Sequence, residues 1–154
     1  MKITEKRMCL HEDGTPYLQN TKTLYEVDGR LRFDNPEKIY ELAKSLGCNR
    51  LAEEYVYIAC LSSAGRIIGI FEISHGSVNA SFLHAREIFQ RALMCGAVSV
   101  IMWHNHPSGS CTPSDWDKDV TQKVRDAGEI IGIRLLDHLI IGDGYYSFSM
   151  QGQL

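Results

Sequence analysis

The sequence predicts an α/β domain in which a mixed β-sheet is covered by helices. Segments with the helical period and segments with the apolar runs of β-strands follow one another in the order helix, two strands, helix, strand, helix, two strands. The length of 154 residues suits one such domain, because a chain of this size buries roughly 70% of the surface that it exposes when unfolded.

The first 34 residues are polar and weakly periodic. Turn signals occur at residues 13–16 and at residues 28–29 (Asp-Gly). We expect residues 1–34 to form short strands or an arm laid on the main body, and residues 35–154 to form the compact domain. The sequence does not indicate what residues 1–34 do.

A first helix is predicted to begin at Asn35-Pro36-Glu37, which supplies an N-cap residue, a proline at the first helical position and an acid in the first turn. Gly47 is expected to end this helix. Two β-rich runs follow at residues 55–61 and 66–73, with a turn between them. They predict a hairpin with at least one strand buried on both faces.

The second half of the chain alternates between helical and strand patterns. Residues 85–95 have the helical period, and a longer helix is expected from about residue 113 to residue 132. Between these helices we predict a short apolar strand at residues 98–103 and then a loop. The chain is expected to finish with strands at residues 133–141 and 145–148.

Charge and cysteine content exclude several classes of protein. The net charge is −3 and the pI is about 6.0, so no overall basic field attracts nucleic acid or anionic lipid. The five cysteines include no C-x-x-C pair, a usage that suits a reducing cytoplasm. No apolar run is long enough to span a membrane, and the N-terminus lacks the apolar core of a signal peptide. We therefore expect a cytoplasmic protein without a membrane partner.

The clearest chemical pattern lies where the third strand meets the last helix. His104 and His106 are separated by one residue at the end of a strand, so their side chains are expected on the same face. Ser114 and Asp117 follow, which gives the pattern H-x-H-x7-S-x2-D. Two imidazoles, a carboxylate and one open position are a common way to hold catalytic zinc. The pattern predicts one zinc ion per chain, with His104, His106 and Asp117 as ligands.

Part of this pattern has an explanation that needs no metal. Ser114 followed by an acid three residues later, at the start of a helix, is also a capping-box arrangement. The two explanations are compatible, because a carboxylate in the first turn of a helix can face a neighbouring strand end. The remaining histidines lack such neighbours and are expected to be structural or exposed, although Asp137 and His138 are weaker candidates for a supporting role. These histidines are His11, His75, His84 and His138.

The segment HNHPSG at residues 104–109, with Thr112-Pro113-Ser114 and Asp117 after it, resembles the RadC-like branch of the JAMM (MPN) metalloproteases. Residues 76–77, 85–93 and 136–142 resemble neighbouring segments of that family. The similarity covers roughly residues 50–150. It implies a fold like that of the cytidine deaminases, zinc bound by the three ligands above, and a water as the fourth ligand.

The resemblance also implies a glutamate general base and a support for the oxyanion from Ser114. Glu53, Glu54 and Glu72 are the candidate bases. An acid opens the first hairpin strand in RadC-like chains, and this comparison selects Glu54, with Glu72 as the second choice. Glu53 and Glu54 cannot share the role, because a shift of one residue reverses the face of a strand. The implied reaction is hydrolysis of a peptide or isopeptide bond in a peptide or protein substrate.

Two features differ from the family pattern. RadC proteins commonly carry a helix-hairpin-helix segment before the JAMM domain, and residues 1–34 show no such pattern, so we do not carry over a role in DNA repair. Cys111 and Ser108 lie in the loop that joins His106 to Ser114 and are candidate modulators of the site. A thiolate at Cys111 could occupy the open zinc position or make the site sensitive to oxidation.

Other functional classes are kept as alternatives. The main one is a catalytically idle interaction module, because MPN-like folds also serve as scaffolds. A metal-dependent HNH nuclease is less favoured, because its motif residues are dispersed and such a protein would be basic. A zinc deaminase requires H-x-E and a later P-C-x-x-C, and this sequence has neither. The sequence does not indicate the identity of the substrate or the oligomeric state.

Overall fold

The computed structural model describes residues 2–26, 31–76 and 83–154. Over these ranges the chain forms a seven-stranded mixed sheet with three α-helices, which confirms the predicted α/β class. The strands are β1 (Lys2–Leu10), β2 (Pro16–Glu26), β3 (Glu54–Leu61), β4 (Ile67–Gly76), β5 (Ser99–Asn105), β6 (Arg134–Ile141) and β7 (Tyr145–Ser147). The helices are α1 (Pro36–Ser45), α2 (Ala85–Cys95) and α3 (Asp115–Ile131), with a 3-10 turn at Cys48–Arg50.

The strands lie in the order β2-β1-β4-β3-β5-β6-β7. The predicted hairpin of β3 and β4 is present and antiparallel, and β5 pairs antiparallel to β3. β5 and β6 are parallel neighbours joined by α3. A parallel pair requires such a crossover, and this one brings the N-terminus of α3 to the end of β5 at which the sequence motif lies.

Helices cover both faces of the sheet, so the domain has three layers and two cores. On one face, Ile39 and Leu42 of α1 pack against Ala59 and Leu61 of β3. On the other face, residues of α2 and α3 pack against the opposite side chains of β3 and β5, namely Ile58, Cys60, Val100 and Met102. Every residue of β5 is buried, because the strand is central and covered on both sides.

The helix ends follow the signals in the sequence. The Asn35 side chain accepts a hydrogen bond from the backbone N–H of Lys38 at 3.0 Å, and Pro36 occupies the first turn. α2 ends at Gly96, whose φ of 67° is in the left-handed region that glycine adopts most readily. The predicted N-cap of α1 and the predicted end of α2 are therefore confirmed.

The N-terminal region is part of the sheet. β1 and β2 are 9 and 11 residues long and form an antiparallel hairpin, so they are longer than the short strands that we expected. β1 lies parallel to β4, with Glu5 opposite Ile70. The predicted turn at residues 28–29 lies outside the described residues, and the boundary between residues 34 and 35 stays a prediction.

β5 extends two residues beyond its predicted end at residue 103, so His104 is inside the strand and not in the loop that we expected. The Asn105 side chain explains this extension. Its Oδ1 accepts from the backbone N–H of Tyr55 at 2.8 Å, and its Nδ2 donates to the carbonyl of Glu53 at 2.8 Å. None of the described helices is both long enough and apolar enough to cross a membrane.

Candidate metal centre

The histidines of β5 and the first turn of α3 meet at one point. His104 Nε2 lies 2.9 Å from His106 Nε2 and 3.1 Å from Asp117 Oδ1. His106 Nε2 lies 3.6 Å from Asp117 Oδ2. One potential ligand atom from each residue lies within 4.8 Å of the others, so the group can hold a metal ion. The structure therefore brings together the three residues that the spacing predicted.

The centre is buried at the floor of an open cavity. His104 and Asp117 are each 1% exposed, whereas His106 is partly exposed and forms part of the cavity wall. The cavity has a volume of about 440 Å³. It is lined by Glu54, His106, Ser108, Ser110, Thr112, Ser114, Trp116 and Asp117. A small group can therefore approach the centre from the side of His106.

Asp117 is held in place by the cap of α3. The Ser114 side chain accepts from the backbone N–H of Asp117 at 3.1 Å, and the Asp117 carboxylate accepts from the backbone N–H of Ser114 at 2.7 Å. The capping box and the metal-binding geometry are thus both present. Burial by itself raises the pKa of the Asp117 carboxyl, but its interactions with the His104 and His106 rings and the hydrogen bond from the Ser114 hydroxyl outweigh this effect and hold the pKa well below its ordinary value.

His106 presents its Nε2 lone pair to the centre. Its Nδ1 lies 2.8 Å from the carbonyl oxygen of Ser110, which can only accept, so the proton is on Nδ1 when the ring is neutral. The pKa of His106 is raised, mainly by the nearby Asp117 carboxylate and against the effect of burial. A backbone carbonyl of the loop therefore orients this ring, as is usual for histidines that bind metals.

The donor set fits a cation. Two imidazole nitrogens and a carboxylate converge, and among the described residues that line the cavity there is no lysine or arginine to balance them. Two nitrogen lone pairs 2.9 Å apart repel each other unless a proton or a metal ion lies between them. Catalytic zinc sites commonly use such a set of two nitrogen ligands and one oxygen ligand from the protein.

Of the three candidate bases, Glu54 alone lines this cavity. Val56 pairs with His104 across β3 and β5, and two residues earlier Glu54 comes opposite the position of His106. Glu72 lines a different cavity and accepts a hydrogen bond at 2.7 Å from His75. Glu53 is exposed, and its carbonyl accepts from Asn105. The placement agrees with the choice of Glu54, and its catalytic role stays a prediction.

The other predicted site residues are Ser114, Ser108 and Cys111, and the first two of them line the cavity. Ser114 lines the cavity, but its hydroxyl proton is donated to Asp117 Oδ2 at 2.7 Å, so an oxyanion could accept it only after this hydroxyl rotates. Ser108 lines the cavity. Cys111 is not among the residues that line the cavity, and its Sγ contacts the Gly109 carbonyl oxygen at 3.9 Å.

The loop after β5 packs tightly on the turn after β6. The backbone N–H of His106 donates to Ile141 at 2.8 Å, and the backbone N–H of Asp143 donates to Gly109 at 2.8 Å. A Cβ atom on Gly142 would lie 2.2 Å from the Gly109 carbonyl oxygen and 2.9 Å from Cys111 Sγ. Gly142 therefore permits a backbone approach that any other residue would prevent.

His138, which the sequence offered only as a weaker candidate for a supporting role, contacts the site. It is 1% exposed, and its Nε2 lies 2.9 Å from His104 Nδ1. Its neighbour Asp137 points to the other face of the sheet, where it accepts from Ser147 at 2.6 Å, so the predicted pair is divided. Thr121, which contacts His138, is one helical turn after Asp117. That i, i+4 spacing was the available signal for Thr121.

This fold and site define an α/β domain in which a His-x-His pair and an Asp can hold a metal ion. The family model described as the RadC-like JAB domain matches residues 33–153. The chain therefore belongs to the RadC-like JAB domain family, and the resemblance noted in the sequence is confirmed.

Several curated bacterial proteins are similar to this chain. A UPF0758 protein of Pelobacter propionicus is 43% identical over 126 residues, covering 80% of this chain and 54% of the relative. A UPF0758 protein of Geobacter sulfurreducens is 42% identical over 152 residues, covering 92% of this chain and 66% of the relative. The chain thus spans between half and two thirds of the length of these relatives, and their names state no activity.

Proposed function

We propose that the protein is a zinc-dependent hydrolase that cleaves a peptide or isopeptide bond. One observation carries the proposal: the Nε2 atoms of His104 and His106 and the carboxylate of Asp117 converge at the floor of a cavity that Glu54 also lines. Three protein ligands beside an open cavity are the arrangement of catalytic zinc, whereas structural zinc has four protein ligands.

Zinc is proposed because of the ligand types. Two imidazoles and one carboxylate suit zinc better than magnesium or calcium, which prefer oxygen ligands. When bound, zinc lowers the pKa of a coordinated water towards neutrality and polarises the carbonyl group of the substrate.

The side chains around the centre supply the remaining steps. Glu54 accepts a proton from the attacking water as the water oxygen bonds to the carbonyl carbon. Glu54 then transfers this proton to the amine nitrogen as the carbon–nitrogen bond breaks. Ser114, once its hydroxyl rotates away from Asp117, donates a hydrogen bond to the oxyanion.

The cavity wall indicates the class of substrate. Hydroxyl groups of Ser108, Ser110 and Thr112 offer hydrogen bonds, and Trp116 adds an apolar ring surface. A peptide presents both kinds of surface, because its backbone is polar and its side chains are often apolar. We therefore expect a peptide or protein substrate, and the net charge of −3 gives no support for nucleic acid.

Elemental analysis of the purified protein tests the metal. We expect about one zinc per chain in the wild type, little zinc in Asp117→Ala, and an unchanged content in Asp119→Ala, which alters an exposed acid on the same helix. His106→Ala, which leaves the helix cap intact, should lose zinc as well. No zinc in the wild type after reconstitution would contradict the proposal and favour the interaction module.

Hydrolysis tests the reaction. A library of fluorogenic peptides and isopeptide-linked conjugates is incubated with the zinc-loaded wild type and with Glu54→Gln. We expect Glu54→Gln to bind zinc normally and to lose about 10²–10⁴-fold in rate, the usual contribution of a general base. Equal rates in the two proteins would exclude Glu54 as the base.

The predicted cytoplasmic location rests on cysteine usage, and all five cysteines are free thiols.

A further inference from the structure

Two buried polar side chains contact the metal centre from behind the His104 ring. Thr121 of α3 is 2% exposed and His138 of β6 is 1% exposed, and neither takes part in the proposed reaction. His138 Nε2 lies 2.9 Å from His104 Nδ1, and His138 Nδ1 lies 2.6 Å from Thr121 Oγ1. Each of these hydrogen bonds contains one proton, so the direction of one determines the direction of the next.

The direction of these hydrogen bonds is set at Thr121, the residue of the series that belongs to α3. Thr121 Oγ1 is in hydrogen-bonding contact with the backbone carbonyl oxygen of Asp117, which can only accept. The single hydroxyl proton of Thr121 is therefore donated to Asp117. It follows that Thr121 Oγ1 accepts from His138, whose proton is on Nδ1.

The histidine pair then has one consistent arrangement. The His138 ring is 1% exposed, and among the described residues its two nitrogens form hydrogen bonds only with Thr121 and His104, so no carboxylate stabilises a positive charge on it. The buried ring is therefore neutral, and its Nε2 is an acceptor. His104 must donate to it from Nδ1. The Nε2 of His104, which faces Asp117 at 3.1 Å, is therefore the ring nitrogen left to bind a metal ion in place of a proton.

We infer that Thr121 and His138 are positioning residues that hold His104 in the tautomer able to bind a metal ion. The opposite arrangement places a proton on His138 Nε2 and hence on His104 Nε2, where it blocks coordination. The His138 ring is held by Phe148, which stacks on it with centroids 5.0 Å apart and planes 5° apart. The consequence for zinc rests on the proposed function, whereas the tautomer itself does not.

The wild-type protein gives the first test. Long-range ¹H–¹⁵N NMR of the metal-free full chain distinguishes protonated from unprotonated ring nitrogens. We expect Nδ1 to be protonated in both His104 and His138, and Nε2 of His138 to be unprotonated. An unprotonated Nδ1 on His104, or a proton on Nε2 of His138, would overturn the inference, whether or not the protein binds zinc.

Thr121→Val and Thr121→Ser give the second test. Valine has nearly the same shape as threonine but cannot accept from His138, whereas serine keeps the hydroxyl. We expect Thr121→Val to shift the proton of His104 towards Nε2 and to weaken zinc binding about 10–100-fold, the usual effect of losing an outer partner of a ligand. Thr121→Ser should restore both properties.

The readouts separate this inference from the proposed function. Zinc affinity is measured by competition with a chromophoric chelator, and folding is checked by near-ultraviolet circular dichroism. If Thr121→Val keeps the wild-type tautomer and affinity, the inference is wrong while the zinc site stands. If the wild type binds no zinc but shows the expected tautomers, the proposed function fails and the positioning network stands.

Discussion

Gly142→Ala should loosen the metal-binding loop without changing any ligand. The new Cβ would lie 2.2 Å from the Gly109 carbonyl oxygen, whereas ordinary contacts begin at 3.4 Å. The loop must therefore move by about 1 Å, because the opposing group is backbone and not the end of a flexible side chain. Gly144→Ala is the matched control, since a Cβ at Gly144 has nothing within 4 Å.

This displacement reaches the site through Ser110. The carbonyl of Ser110 lies 2.8 Å from His106 Nδ1, and an added 1 Å exceeds the range of a hydrogen bond. Losing such a partner of a ligand typically weakens metal binding about 10–100-fold. Inserting a methyl group into packed backbone also lowers the free energy of unfolding by about 1–3 kcal/mol.

Two assays measure these effects. Urea unfolding of the metal-free protein should show the loss of stability in Gly142→Ala and a neutral or slightly favourable effect in Gly144→Ala, because alanine reduces the entropy of the unfolded chain. Competition with a chromophoric chelator should show weaker zinc binding in the first variant alone. Equal stability and equal affinity in the two variants would refute the argument that Gly142 positions the loop.

Three further predictions concern stability. Ser114→Ala should lower the free energy of unfolding by about 1 kcal/mol in urea, because the cap of α3 is lost; an unchanged value would contradict the capping role. Gly128→Ala, a change that normally stabilises a helix by about 1 kcal/mol, should here destabilise the protein in thermal unfolding, because the Cβ would lie 2.4 Å from the carbonyl oxygen of Ile133. Burial raises the pKa of Asp137, so its contribution to stability is full below its unfolded pKa and is lost as pH rises through the folded pKa. Asp137→Asn should therefore gain stability relative to the wild type as pH increases from about 3 to 6, and a constant difference would contradict this assignment.

Local patterns predicted most of the fold. Helix signals such as Asn35-Pro36 and Gly96 act within one turn of the chain, so they are visible in sequence and are confirmed. The end of β5 was predicted two residues too early. The Asn105 side chain extends the pairing by bonding to backbone of residues 53–55, about 50 positions away, and such distant partners leave no local signal.

The N-terminal strands and His138 also depend on distant partners that leave no local signal in the sequence. The polar side chains of β1 and β2 carry little periodicity, because these strands are held by main-chain pairing at the sheet edge and not by burial of one face. His138 was only a weak candidate for a supporting role because it is 34 positions from His104 in sequence. The parallel pairing of β5 and β6 places the two rings in contact.

The sequence by itself determined the class of fold, the family resemblance and the three residues that meet at the centre. It could do so because His104 and His106 share a strand face and Ser114 begins a helix, and both are local properties. The tertiary structure decided which proton each buried nitrogen carries, which glutamate lines the cavity and which loop contact holds His106. These properties depend on hydrogen bonds and close approaches between β3, α3, β6 and the loop after β5, and such contacts exist only once the chain is folded.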